Sequence, residues 1–374
     1  MDEELEEADP ALEHLAKHVD NLAPDVVAIH VSPEGALIST STRPEDDETF
    51  CPWYPPLGTI ERPDGIGTIL RSDLEELDRL GPMVDLVTPL RAPEPRKKLV
   101  FKYFFVEQRL RFTWEDANIW MRLPKHPNIV PFDKIVVDEI EGAFVGFTVA
   151  YITGGTLEDN QSREFKLKWL TQLISVVDDL NLNLGISHQD VAPRNLVVDD
   201  STDSLMIFDF NFSAHIGEPE YDESRNDVKG VFFTLYEIIT RDDTLRSVQH
   251  EQQNLSDLDK DWIKHPDVRL DRPVSEFRQV LQEWLETRKT GRQVAMYTEA
   301  PNFINWPTVP EPAPSEVIYE SENGPITKMV VRQSFRRTKL VKQGKPVLSW
   351  ERPAQSKLKP GQRLLETGEY IQES

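Results

Sequence analysis

Residues 183–212 read Asn-Leu-Gly-Ile-Ser-His-Gln-Asp-Val-Ala-Pro-Arg-Asn-Leu-Val-Val-Asp-Asp-Ser-Thr-Asp-Ser-Leu-Met-Ile-Phe-Asp-Phe-Asn-Phe. Two polar clusters stand in this stretch, separated by a short β-hairpin pattern. The first is His188-Gln189-Asp190 followed by Asn195. The second is Asp209-Phe210-Asn211, entered from the apolar run Leu205 to Phe208. The pattern puts Asp190, Asn195 and Asp209 at the ends of short strands, where they can converge. Two carboxylates and a carboxamide at one point suit a hard cation such as Mg²⁺, which takes few protein oxygens and leaves positions for phosphate. The third group need not bind metal; it can orient a hydroxyl and accept its proton.

The stretch resembles the protein-kinase catalytic loop H-R-D-x-x-x-x-N followed by D-F-G. His188, Asp190, Asn195, Asp209 and Phe210 fall on matching positions, and both intervals fit. Gln189 stands where the pattern has Arg, and Asn211 where it has Gly. Ala192 and Arg194 resemble the tyrosine-kinase variant of the loop. Upstream, Leu167, Leu170, Leu173, Ile174, Val177 and Leu180 recur at helical spacing, which predicts a buried helix over 165–182 delivering the loop. The resemblance implies that Asp190 orients the acceptor hydroxyl and takes its proton, that Asn195 and Asp209 hold Mg²⁺, and that Arg194 steadies the transferring group.

Working towards the N-terminus, Leu99 to Phe105 reads as a strongly apolar strand with Lys102 as its one cation. A lysine there can simply snorkel. The resemblance instead implies contact with the α- and β-phosphates of ATP. An amphipathic helix pattern covers Glu107 to Leu123 and ends before Pro124-Lys125-His126-Pro127-Asn128-Ile129-Val130, similar to the kinase segment after helix C. Helix C carries an acid that pairs with the strand lysine. Glu115 is the expected partner, with Asp116 as the rival one register away. Ile135–Val137 and Phe144–Tyr151 read as strands. They lead into Ile152-Thr153-Gly154-Gly155-Thr156-Leu157, which resembles the kinase hinge; this implies Val149 as gatekeeper and adenine contacts from the backbone of Ala150, Tyr151 and Ile152. Gly81 to Val87 lies where a glycine-rich loop belongs, with Val87 expected to cap adenine, but it holds one of the three usual glycines. Ser72-Asp73-Leu74-Glu75 predicts a capped helix start.

Towards the C-terminus, Asp227 to Thr240 resembles kinase helix F, where Asp227 would hold the catalytic-loop backbone. Asp271-Arg272-Pro273-Val274 and the amphipathic 275–288 resemble the last helices of that fold. Asp209 to Asp227 leaves room for roughly half the usual activation segment, without an Ala-Pro-Glu. Gln189 removes the usual partner of a phosphorylated loop, so activity is expected without such phosphorylation. Beyond 290 come a Pro-rich linker (301–314), a hairpin pattern around Asn323-Gly324, and a basic run from Arg332 to Lys345. Against an acidic body, that run is expected to fold back or stay disordered, with an acidic partner as an alternative.

The chain has 374 residues, a formal charge of −23, 28 prolines and a single cysteine, Cys51, so no intrachain disulfide can form. An acidic surface is not drawn to nucleic acid or anionic lipid. The acidic start lacks a signal-peptide pattern, and the expectation is an intracellular protein, cytoplasmic or nuclear. The sequence predicts an α+β, two-lobed protein-kinase-like fold over 71–295 (small β-rich lobe 71–150, helical lobe 151–295), an acidic accessory segment over 1–70, and a linker and basic tail over 296–374. The expected activity is ATP- and Mg²⁺-dependent phosphoryl transfer to a hydroxyl of a protein or small molecule. The alternative is a pseudokinase scaffold, suggested by the poor glycine loop and the short segment. A third reading is a regulator acting through its basic tail.

Overall fold

The β-branched and aromatic runs between residues 67 and 150 assemble into one sheet. In this computed structural model the described residues are 10–348, apart from 24, 92, 94–95 and 320–325, with Trp350 and the backbone of 362–364 and 370–372. Helix α1 (Pro10–Ala16), the hairpin β1 (Ala28–Val31) and β2 (Leu37–Ser41), and the short strand β3 (Phe50–Pro52) come first. Then follow β4 (Gly67–Leu70), β5 (Leu74–Gly81), β6 (Val84–Pro89), β7 (Leu99–Tyr103), helix α2 (Leu110–Trp120), β8 (Phe132–Val137) and β9 (Phe144–Ala150). The sheet order is β4-β8-β9-β7-β6-β5, and only the β4–β8 pair is parallel. Strand β4, from the segment read as accessory, is thus one edge of this sheet.

Side chains alternate across a strand, and β7 buries both faces. Leu99, Phe101 and Tyr103 join Val87, Val136 and Val145 in an apolar cluster on one side. Chain from both ends of the protein covers that cluster: Trp350 stacks on Tyr103 with ring centres 4.7 Å apart and donates its indole N–H to the Tyr54 hydroxyl at 2.7 Å. Val100 and Lys102 occupy the opposite face, towards α2.

Helix α2 follows from Leu110, Trp114, Ala117 and Met121, all buried and spaced four, three and four residues apart. The rest of the chain carries helix α3 (Leu167–Asp178), β10 (Ile186–Ser187), β11 (Leu196–Asp199), β12 (Ser204–Ile207), β13 (Ala214–His215), helix α4 (Asp227–Thr240) and helix α5 (Val274–Thr290). Trp169, Leu170, Leu173, Val176 and Val177 bury one stripe of α3, which packs on α4 and α5. The pattern read as a hairpin between the two polar clusters is β11 paired with β12, Leu196 opposite Ile207. No helix among the described residues is long and apolar enough to cross a membrane.

One local expectation meets a correction. Ser72 to Leu77 is not a helix: a single 3-10 turn at Arg71–Asp73 runs into β5. Gly81-Pro82-Met83 lets the chain reverse in two residues, with Met83 at φ 59°, so β5 pairs with β6 as a charged, half-exposed edge strand. Tertiary pairing overrides the local helix signal. The basic run folds back, where β16 (Ser334–Arg336), after β14 (Ser315–Tyr319) and β15 (Ile326–Val330), pairs with β3. Arg336 meets Glu48 at 2.6 Å. The Asn323-Gly324 turn and the acidic start lie outside the described residues.

Candidate active site

The loop between β10 and β11 is held from below by one carboxylate. Asp227, the first residue of α4 and 1% exposed, accepts from the backbone amides of His188 and Gln189, both at 2.8 Å, and from the Asn181 side chain at 2.7 Å. Charge-assisted bonds to amides are among the stronger ones, so the loop is pinned where Asp190 emerges. Asn195 donates its amide to Asp190, to the backbone oxygen at 2.9 Å and to Oδ2 at 2.7 Å. Arg194 bonds Oδ1 of the same carboxylate. His188 Nε2 lies 3.0 Å from the Phe208 carbonyl, and the Phe208 amide donates to Asn195 at 3.1 Å. These bonds tie the first polar cluster to the second.

Asp209 follows at φ 69°, a left-handed conformation that carries a backbone cost in a non-glycine residue. Its Oδ1 is 2.6 Å from Lys102 Nζ, and Lys102 also bonds Asp116 of α2. Asp116 is 1% exposed, and its other oxygen accepts the Phe210 amide at 2.9 Å. Phe210 is fully buried, against Trp120 and His188.

One ammonium thus faces a buried carboxylate, Asp116, and a partly buried one, Asp209. Burial opposes the charge on Lys102, but the pull of Asp116 and Asp209 outweighs it and raises its pKa. Burial likewise opposes ionisation of Asp209, yet Lys102 beside it holds the pKa below the usual carboxylate value. Asp116 is the member that burial pushes up, to about 6, against the opposing pull of Lys102.

Two sequence expectations fall one residue away from the observed geometry. Glu115 does not reach Lys102; it bonds Arg111 at 2.8 Å, one turn back on the same helix. A helix turns about 100° per residue, so Asp116 takes the inward place. Val87 sits opposite Leu99 in the outer cluster, on the sheet face away from Lys102. Leu86 is opposite Val100, and Val84 is opposite Lys102, so these two share the Lys102 face. Val149, opposite Val100 on β9, is on that face as well. The Ala150 and Tyr151 amides are spent within the fold, on Pro131 at 2.9 Å and Lys98 at 3.4 Å. Among the described residues the Ile152 amide has no such partner.

The Asp116→Asn and Glu115→Gln variants separate the two acids. Asp116 has a raised folded pKa, so the folded protein binds its proton more tightly than the unfolded chain does. Stability from this group is present below pH 4 and is lost as pH rises to about 6. Asp116→Asn should remove that fall in urea-melt profiles between pH 4 and 6. Burial raises the Glu115 pKa as well, so Glu115→Gln should remove only its own contribution of the same sign, retain the part owed to Asp116, and shift stability by no more than about 0.5 kcal/mol. An unchanged profile in Asp116→Asn would assign the titration elsewhere.

The sequence shows Gln189 only as a residue in the place of an arginine. In the structure its backbone sits at φ 60° and its side chain is a clamp. It donates to the Phe212 carbonyl at 2.7 Å and accepts from the Asp222 amide at 2.6 Å, spanning the stretch after Asp209. Gln189→Ala should cost about 1–3 kcal/mol and speed amide exchange over 212–222, read by mass spectrometry. Uniform exchange across the chain would contradict a local clamp. Beside Asp190 opens a cavity of about 150 Å³, lined by Gln189, Arg194, Arg225, Lys229, Thr234 and His250 among others.

Comparison with known proteins adds to this geometry. CBL-interacting serine/threonine-protein kinase 2 of Arabidopsis thaliana is 33% identical over 99 residues, 25% of this chain and 21% of that protein. CBL-interacting serine/threonine-protein kinase 16 of the same plant is 35% identical over 100 residues, 25% and 20% of the two chains. This chain is related to the protein kinases. A further relative, CBL-interacting serine/threonine-protein kinase 3 of Arabidopsis thaliana, is 33% identical over 124 residues, 32% of this chain and 26% of that protein. The kinase-like match spans about a fifth to a quarter of the length of these curated relatives. No protein-family model matches the chain.

Proposed function

We propose that this kinase-like chain is an ATP- and Mg²⁺-dependent phosphotransferase, built as a two-lobed domain over residues 71–295 with β4 added to its sheet from the preceding segment. The observation that carries the reading is the linked set Lys102–Asp116–Asp209 and Asp190–Asn195, drawn from β7, α2, the catalytic loop and the residues after β12. Charges placed this way are costly unless matched, and two carboxylates facing one ammonium leave an excess negative charge that a divalent cation would match.

The donor set fits Mg²⁺. Asp209 spends Oδ1 on Lys102, leaving Oδ2, and Asn195 spends its amide nitrogen on Asp190, leaving its carbonyl oxygen. Two hard oxygens with room for phosphate and water are what Mg²⁺ takes. When bound, the ion neutralises charge on the β- and γ-phosphates. Lys102, oriented by Asp116, positions the phosphates. Val84, Leu86, Val100 and Val149 offer an apolar face for adenine, with the Ile152 amide as the available donor. Asp190 accepts the acceptor hydroxyl's proton; each carboxylate oxygen keeps a lone pair beyond its bond to Arg194 or Asn195. Arg194 steadies the transferring group. The cavity beside Asp190 suits a small hydroxyl compound or a single protein side chain.

The scaffold reading is favoured by one feature. Pro82 stands at the β5–β6 turn, where a glycine-rich loop would offer amide N–H groups to phosphate, and proline has none. Calorimetric titration with ATP, with and without Mg²⁺, decides between them. Wild type should bind in a Mg²⁺-dependent manner, and Asp209→Asn should lose that dependence. Absence of binding by folded wild type at millimolar ATP would leave the scaffold reading in place.

A further inference from the structure

We propose that residues 295–309 form a built-in brace that positions α2, with Trp306 and His215 as positioning residues for the Lys102–Asp116 pair. The inference rests on the phosphotransferase reading only for what that pair does; the brace itself is argued from packing.

After α5 the chain crosses the stretch that follows Asp209, and the crossing is close. The Tyr297 amide donates to the Ile216 carbonyl at 2.8 Å. Asn302 bonds Asn183 twice, backbone to backbone at 2.9 Å and side chain to side chain at 2.8 Å. Two glycines make room for it. A Cβ at Gly185 would lie 2.6 Å from the Tyr297 carbonyl oxygen, and one at Gly217 would lie 2.5 Å from that of Ala295. Both have positive φ, 72° and 86°, so any other residue meets strain as well as a clash.

His215 of β13 is the keystone. Its ring stacks on Trp306 with centres 3.5 Å apart and contacts Tyr297 at 4.1 Å. Its Nε2 is 2.7 Å from the Ile304 carbonyl, so that nitrogen is the donor. Immediately beyond, the Pro307 carbonyl accepts the indole N–H of Trp114 at 3.1 Å. Trp114 is a fully buried residue of α2, set edge-on against Phe144. Ile304, Trp306 and Val309 pack on the main core.

Helix α2 therefore has an anchor on a second side from Asp116. Towards the 209–227 stretch it has the buried bond from the Phe210 amide to Asp116 at 2.9 Å and an exposed ion pair, Arg111 to Glu220 at 3.4 Å, and a pair of that kind holds little. The brace holds the helix without a phosphate on that stretch.

Hydrogen–deuterium exchange of the full chain tests this without nucleotide. Trp306→Ala should raise exchange over α2 about tenfold, leave α3 and α5 unchanged, and weaken MgATP affinity. Trp306→Phe should restore both. His215→Phe keeps a ring against Trp306 and loses the bond to Ile304 without touching α2, so it serves if Trp306→Ala does not fold; it should loosen α2 in the same direction. Wild-type exchange over α2 in a folded variant of either kind overturns the brace. If wild type binds no MgATP, the phosphotransferase reading fails while the exchange result still decides the brace.

Discussion

On the phosphotransferase reading proposed above, replacing Asp190 with Asn is expected to lower phosphoryl transfer by about 10²–10⁴-fold, the range for loss of a positioned general base, with MgATP affinity unchanged. The isosteric change keeps a carbonyl oxygen for Arg194 and leaves Asn195 a backbone acceptor at Asp190, so the loop keeps its shape. Asp227 goes on pinning the loop through the amides of His188 and Gln189. What is lost is the basic oxygen facing the cavity. The measurement is ATP turnover beside calorimetric affinity for wild type and variant. Turnover equal to wild type in D190N would remove Asp190 from the chemistry, whereas a joint loss of binding and turnover would make its role one of shape.

The second large effect concerns stability. Lys102→Met should destabilise the fold by about 3–5 kcal/mol, the cost of breaking a buried ion pair from one side. Asp116 is 1% exposed and Asp209 is partly buried, and without the ammonium they repel each other. The pH dependence has a definite sign. Removing Lys102 raises both folded-state carboxylate pKa values, so the folded variant takes up protons more readily than its unfolded chain. The deficit relative to wild type should be largest near pH 8 and shrink towards pH 5, in denaturant melts at the two pH values. A deficit that grows on acidification would contradict the arrangement of one cation between two acids.

Much of the candidate site was legible because its spacing is local. His188, Asp190 and Asn195 are separated by one tight loop, and Asp209 by one hairpin, so counting residues places them together. Lys102 stood out as the single cation of an apolar strand. Less legible were the features where an error of one residue changes the face. Glu115 and Asp116 are adjacent in sequence but about 100° apart on a helix, and only the packing of Trp114, Ala117 and Trp120 decides which acid turns inward. Val87 and Leu86 are opposite faces of one strand, and the pairing of Leu86 with Val100 puts Leu86 on the Lys102 side. Ser72 to Leu77 carried a helix cap signal, yet its residues had a waiting partner in β6.

Spacing and periodicity, which act over a few residues, were enough to indicate an α+β chain, a buried helix leading to a catalytic-type loop, and the residue types gathered there. Long-range packing decided the rest. It chose Asp116 over Glu115, joined β4 to the sheet, brought Trp350 onto Tyr103, and laid residues 295–309 across β13 to Trp114. Those contacts join residues far apart in the chain, as with the 193 positions separating Trp114 from Pro307. No local pattern encodes them, because their free energy comes from apolar area removed from water only once the whole core has formed.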